Sequence, residues 1–182
     1  MIKNQVNEIA GAELISMHSN TDNRGTFTKF HDSQKFQIAL DSLAFSTNKR
    51  VGTIRGLHFQ TEPHAEEKLV TCIQGSVFDV LVDLRANSTT FGKWASYELN
   101  ARTSHQLYVP KGVAHGFQTL EPNSIIHYCL SSKYSPESSY AINPLGDLDI
   151  SWPVRDFTIS ERDSSGISAA LAAIKFAESQ KI

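Results

Sequence analysis

What most constrains this chain is its punctuation. Ten short runs read as β-strands, each bounded by turn residues and following the last at roughly ten-residue spacing. They cover 13–18, 26–31, 42–48, 53–60, 68–74, 76–84, 93–99, 106–109, 116–120 and 124–131. Strands do not alternate with helices, so a parallel sheet is not expected, and the spacing predicts an all-β sandwich or jelly roll. The clearest run is Val77-Phe78-Asp79-Val80-Leu81-Val82-Asp83-Leu84. Its alternation sets Phe78, Val80, Val82 and Leu84 on one face, with Asp79 and Asp83 on the other. Gln74-Gly75-Ser76 reads as a hairpin turn, and Asp22-Asn23-Arg24-Gly25 as another. One helix is expected, at 164–179, with Ile167, Leu171, Ile174 and Ala177 as its apolar stripe.

Composition narrows the function classes. At 182 residues the chain is read as one domain, 1–182. A hydrophobic content of 40% and a charged content of 20% suffice for a packed core. A net charge of −2 offers no basic footprint for nucleic acid. No run has the apolar length needed to cross a membrane, and the first residues lack a signal peptide's apolar core. Cys72 and Cys129 sit in apolar runs and read as buried thiols of a reducing compartment, so the expected location is the cytoplasm.

Three stretches carry the chemistry: Arg55-Gly56-Leu57-His58-Phe59-Gln60, Lys68-Leu69-Val70, and Pro110-Lys111-Gly112-Val113-Ala114-His115-Gly116-Phe117. They look like the two halves of a cupin metal site with most ligands exchanged. Gln60 stands in the place of the second His of a His-x-His pair. Lys68, seven residues before Gly75, stands in the place of the Glu. His115 keeps its place. A divalent cation is held by neutral imidazoles and carboxylates, whereas a site built around a lysine repels it. The same lysine and imidazole suit a developing oxyanion, so metal-free proton chemistry is expected, with no cofactor.

Further markers are Asp22-x-Arg24-Gly25-x-Phe27, Gly75-Ser76-Val77-Phe78-Asp79-Val80, Asp83-Leu84-Arg85, Thr90-Phe91-Gly92-Lys93-Trp94, Tyr134-x-Pro136 and Ile150-x-Trp152-Pro153. In this order the chain resembles the dTDP-4-dehydrorhamnose 3,5-epimerase family, metal-free cupins of deoxysugar biosynthesis, from Asp22 to Asp163. The resemblance implies a cupin-type double-stranded jelly roll with a short C-terminal helix, and a homodimer exchanging strands that precede Arg24. It implies an epimerase of a nucleotide-linked 4-keto-6-deoxyhexose. Such a reaction needs a base, an enolate stabiliser and an acid across the ring. The resemblance puts the base at His58 with Asp163 as its partner, the enolate stabiliser at Lys68 with His115 close by, and the acid at Tyr128. It puts Arg24 and Arg55 against the nucleotide, where guanidinium suits a diphosphate.

Arg55 and His58 have opposite parity on a regular strand, and a bulge at Gly56 would turn both inward. His18, His31, His64 and His105 read as ordinary surface or satisfied groups. His127 points to the sheet face opposite Tyr128. Several nucleotide positions depart from the family's usual residues. Thr26 replaces an aromatic, Lys29 and Ser139 replace glutamates, Cys129 replaces a lysine, and Arg162 replaces the lysine before Asp163. The carrier's base, and whether C3, C5 or both are inverted, stay open. A non-catalytic cupin that binds sugars or sugar nucleotides is the second reading, and a metal-dependent cupin the third.

Overall fold

The computed structural model describes residues 8–30 and 38–181. Its strands in chain order are β1 Glu13–Ser16, β2 Ser19–Asp22, β3 Gly25–Thr28, β4 Ser42–Asn48, β5 Ile54–Gln60, β6 Lys68–Gln74, β7 Ser76–Asp83, β8 Trp94–Asn100, β9 His105–Val109, β10 Val113–Thr119, β11 Ser124–Leu130 and β12 Ser139–Ala141. Two helices follow, α1 Glu161–Ser164 and α2 Ala169–Ser179. Strands β12-β5-β10-β7-β8 form one antiparallel sheet and β1-β9-β6-β11-β4 a second, with β2 and β3 a separate hairpin. The two five-stranded sheets face each other as a cupin-type jelly roll.

Strand alternation decides what lies between the sheets. Val77 and Leu81 of β7, Val113 and Phe117 of β10, and Val70, Leu107 and Ile126 from the other sheet fill the interior. The opposite face of the first sheet is also covered. Phe78, Val80 and Val82 of β7 and Leu84 just after it pack there with Leu57, Phe59, Trp94 and the helix α2. The two faces of β7 separate as the sequence predicts, but neither is solvent-facing: Asp79 and Asp83 are fully buried.

Four expectations are corrected. Gln74-Gly75-Ser76 is not a hairpin, because β6 pairs with β9 and β11 while β7 pairs with β8 and β10. Gly75, at φ +74, is a corner where the chain passes from one sheet to the other, and a Cβ there would lie 2.3 Å from the Ser124 hydroxyl. The helix expected from residue 164 divides. Ile167 is spent on a bridge to Ile142, its N–H donating to Ala141 O and its carbonyl accepting from Asn143 N. Helix α2 therefore begins after Ser168, whose hydroxyl accepts the Leu171 N–H as a cap.

The buried stripe of α2 also differs. It is Ala169, Ala172, Ala173 and Phe176, while Leu171 and Ile174 are exposed. The sheet surface beneath is already bulky with Trp94, Val82 and Leu84, so alanines allow close approach. Phe176 alone penetrates and packs on Gly112, where a Cβ would stand 2.5 Å from its ring. Burying one such side chain contributes about 1.5–3 kcal/mol, enough for a single ring to anchor the helix. The strand expected at 26–31 ends at Thr28, and residue 31 lies outside the described residues.

Candidate active site

Between the sheets at one end of the barrel lies a cavity of about 310 Å³, walled by Arg55, His58, Gln60, Glu66, Lys68, His115, Tyr128, Ser139 and Arg162 among others. The bulge expected at Gly56 is present. His58 pairs with His115 and Arg55 with Phe117, so Gly56 and Leu57 on β5 oppose Gly116 alone on β10. This brings Arg55 and His58 to the same cavity. Two glycines make the contact possible: a Cβ on Gly56, at φ +113, would meet Gly116 Cα at 2.6 Å, and one on Gly116 would meet Arg55 O at 2.6 Å.

His58 Nε2 is 2.7 Å from Asp163 Oδ1. Asp163 is set by the single turn α1, whose cap Ser160 accepts the Asp163 N–H. Its second oxygen accepts the Gly56 N–H at 3.1 Å. Burial alone would raise the Asp163 pKa. The His58 hydrogen bond and charge, Gly56 N–H and the Ser160 hydroxyl together hold it below the ordinary carboxylate value. An ionised carboxylate only accepts, so Nε2 carries the shared hydrogen and Nδ1 keeps its lone pair. His58 and Asp163 also line an outer groove with Thr53, Thr158 and Ser160.

A second histidine–aspartate pair lies deeper. His115 Nε2 is 2.8 Å from Asp79 Oδ2, both buried. Asp79 was read as an aspartate of the face opposite the valines and given no role. Complete burial pushes its pKa up, with the His115 charge and hydrogen bond, and the charge of Lys68, pulling the other way. Among the described residues its Oδ1 has no hydrogen-bond partner. Lys68 Nζ is buried, 3.2 Å from Glu66 Oε1, and 3.5 Å from His58 O.

Tyr128 descends from β11 on the facing sheet, its ring edge-on to His115 with centroids 6.4 Å apart. Its hydroxyl is 3.2 Å from Ser46 Oγ. Burial pushes the phenol well above its ordinary pKa, with the Ser46 hydrogen bond lowering it. The cavity therefore has a histidine with a free ring nitrogen on one wall, a protonated phenol on the other, and a lysine beside them.

The remaining predicted residues fall into three groups. Arg162 Nη2 donates to Ser139 Oγ at 2.9 Å at the cavity wall. Gln60 lines the cavity but is spent on the backbone: its Nε2 donates to His64 O and Lys133 O, and its Oε1 accepts from Ser135 N. It orders the loop that presents Tyr134. Arg24 and Lys29 are not brought to this wall. Arg24 is exposed beside Asp22 on the β2–β3 hairpin, where it lines a separate depression, and Lys29 is exposed after it. His127 packs on Phe30, away from Tyr128.

Ser46, Asn48, Glu66 and Asp79 were missed as site residues. Parity on β4, where 46 and 48 share a face, was the available signal for the first two. Glu66 stands two residues before Lys68. Among the described residues no group of three His, Cys, Asp or Glu side chains is placed to hold a metal ion. Neither ring nitrogen bonded to an aspartate, nor the Gln60 amide, is free to serve as a ligand.

The sequence model of the dTDP-4-dehydrorhamnose 3,5-epimerase family matches residues 6–170. The chain is 38% identical to the dTDP-4-dehydrorhamnose 3,5-epimerase of Sinorhizobium fredii, over 92% of this chain and 90% of the relative. It is 32% identical to the dTDP-4-dehydrorhamnose 3-epimerase of Streptomyces niveus, over 90% and 82% respectively. Among solved structures it is similar to a Legionella pneumophila dTDP-6-deoxy-D-glucose-3,5-epimerase in complex with dTDP-4-keto-L-rhamnose. That likeness has a TM-score of 0.84 at 31% identity and covers 91% of this chain and 92% of that one.

Proposed function

This chain belongs to the dTDP-4-dehydrorhamnose 3,5-epimerase family, and from that premise we propose that it inverts C3, C5 or both of a nucleotide-linked 4-keto-6-deoxyhexose in deoxysugar biosynthesis. The observation that supports this reading is that His58 and Tyr128 line opposite walls of one cavity. His58 stands on β5 and Tyr128 on β11, in facing sheets. Inversion at carbon removes a proton from one face of the ring and returns one to the other, which is what two opposed walls supply.

His58 Nδ1 takes the proton next to the ketone, and Asp163 stabilises the imidazolium that forms. The carbon–hydrogen electron pair moves into the ring and the ketone oxygen gains the charge. Lys68 stabilises that oxygen in a site where water is scarce, with His115 close by. Tyr128 then donates its proton from the other wall, the carbon–hydrogen bond re-forms inverted, and the carbonyl returns. Arg55, with Arg162 and Ser139 at the wall, binds the diphosphate nucleotide. No step requires a metal or cofactor.

A homodimer completes this reading. Arg24 lies on the β2–β3 hairpin and Lys29 directly after it, neither of them lining the cavity of their own chain. Phe27 on that hairpin and Phe45 on the edge strand β4 are each 71% exposed, a surface suited to a second copy. In the assembly the hairpin supplies Arg24 to the partner's nucleotide. Light scattering at micromolar concentration checks this, with a dimer expected and a monomer counting against it. No described helix is long and apolar enough to cross a membrane. The buried unpaired thiols Cys72 and Cys129 fit a reducing compartment, and we assign the protein to the cytoplasm.

The deciding experiment is incubation with dTDP-4-keto-6-deoxyglucose in D2O, with NMR following the hydrogens at C3 and C5. Deuterium entry with inversion is expected. Binding without exchange at either carbon would leave a sugar-nucleotide binding protein instead.

A further inference from the structure

We propose that Ser46 is a positioning residue that aims the Tyr128 proton at the substrate and stabilises the phenolate left behind, and that Asn48 ties Ser46 to the arginine that binds the diphosphate. The inference rests on the assignment of Tyr128 as the acid.

Four side chains form one hydrogen-bonded line. Arg55 Nε donates to Asn48 Oδ1 at 2.7 Å, Asn48 Nδ2 reaches Ser46 Oγ at 3.3 Å, and Ser46 Oγ lies 3.2 Å from the Tyr128 hydroxyl. The arginine fixes the direction. A guanidinium only donates, so the Asn48 oxygen faces it and the amide nitrogen faces Ser46. Its two hydrogens are shared among Ser46 Oγ and the carbonyls of Ser46 and Ser124. Asn48 is buried, so its amide cannot turn to water. Ser46 Oγ thus receives a hydrogen from Asn48, and its own hydrogen is available to the phenol oxygen, the direction this proposal takes. The phenol hydrogen is left pointing away from Ser46.

When Tyr128 reprotonates carbon, its O–H bond breaks and a C–H bond forms with the enolate's electron pair. The O–H pair stays on the phenol oxygen, whose negative charge now sits in a wall that disfavours charge. The Ser46 hydrogen bond strengthens as that charge develops, because bonds to ionised acceptors are the stronger ones. The phenolate later recovers a proton from water, and the His58 imidazolium gives one up. Because Asn48 is held by Arg55, the order of this line is linked to the group that grips the diphosphate.

The test uses the full chain with dTDP-4-keto-6-deoxyglucose in D2O. Ser46→Ala should slow inversion about ten- to a hundredfold. KM should be unchanged, and deuterium should still enter from the His58 side. Ser46→Thr, which keeps the hydroxyl on a strand that tolerates threonine, should restore inversion. Asn48→Ala should lower kcat and also raise KM, since Arg55 loses its anchor. Adding Ser46→Ala to Tyr128→Phe should cost nothing further. Wild-type inversion in Ser46→Ala, with Tyr128→Phe inactive, overturns the role of Ser46 and leaves the acid assignment standing. Exchange and inversion falling together in Ser46→Ala, or failure of Ser46→Thr to rescue, also overturns it. An unchanged KM in Asn48→Ala breaks the link to Arg55. Full inversion by Tyr128→Phe removes the acid assignment itself.

Discussion

Two histidine–aspartate pairs among the described residues are of nearly equal length, 2.7 Å for His58–Asp163 and 2.8 Å for His115–Asp79, and lie in opposite environments. The His58 side chain is 38% exposed and lines both the cavity and the outer groove, while that of His115 is 5% exposed. Asp163 has partners for both oxygens and sits below the ordinary carboxylate pKa. Asp79 has one oxygen without a hydrogen-bond partner among the described residues and is pushed above it. Identical chemistry is therefore tuned by what surrounds it. A fixed anion behind a half-open ring makes a proton acceptor that can exchange with solvent. A sealed pair in the core makes an immobile wall whose carboxylate is easily neutralised.

The comparison is sharpest at the outer histidine. His58→Ala should abolish both inversion and deuterium entry, a loss of about a thousand- to ten-thousand-fold, the upper range for one positioned base. NMR in D2O reads both, and exchange at the wild-type rate would end the distinction. Asp163→Asn should lower kcat by about a hundredfold, since an amide can hold the ring in the wrong tautomer. Lys68→Ala should depress exchange and inversion by a common factor, about a hundredfold or more, because both pass through the same charged oxygen. Asp79→Asn should cost about tenfold or less, as a neutral hydrogen bond replaces a charged one at a ring that does not take the substrate's proton. Equal losses at the two aspartates would erase the contrast.

The smallest effect is on stability, where the two carboxylates should have opposite signs. Asp163 binds protons less readily folded than unfolded. Its contribution is present above the unfolded value of about 4 and is lost as pH falls through the lower folded value. Asp79 binds protons more readily folded, so its contribution is present below about 4 and is lost as pH rises through the raised value. Thermal unfolding from acid to neutral pH checks this. Asp79→Asn should gain on the wild type as pH rises, and the deficit of Asp163→Asn should shrink as pH falls.

Much of the sheet structure was legible because turn residues and period-two runs are local signals. Val77 to Leu84 could be divided into two faces from sequence, but alternation does not say which face meets the other sheet. Asp79 passed as an ordinary polar position for that reason. The Gly56 bulge was legible from a parity conflict between two residues that chemistry wanted together. The Gly75 corner was not, since a hairpin and a sheet-to-sheet crossing share the same local residues. Strand β12 and helix α1 are too short to leave a period. The stripe of α2 was misjudged because side-chain size, the usual guide, is reversed where the covered surface is already full. Gln60 was placed in the cavity by its motif, yet its amide serves the 133–135 loop, a use visible only in three dimensions.

His58 and Asp163 are separated by 105 positions in the chain. Strands β1 to β11, with Lys68 and Tyr128, all precede residue 131, so most of the cavity wall is in the chain before Asp163 is even synthesised. His58 gains its carboxylate partner only when the segment beyond β12 folds back over the outer face and α1 docks at Gly56. Long-range closures of this kind are costly in chain entropy and come late. Enzymatic activity is thus tied to the docking of the tail, and so is the outer core: Phe176 belongs to the same tail, so a chain that failed to close would lose the cover over Trp94, Val82 and Leu84 together with the partner of His58.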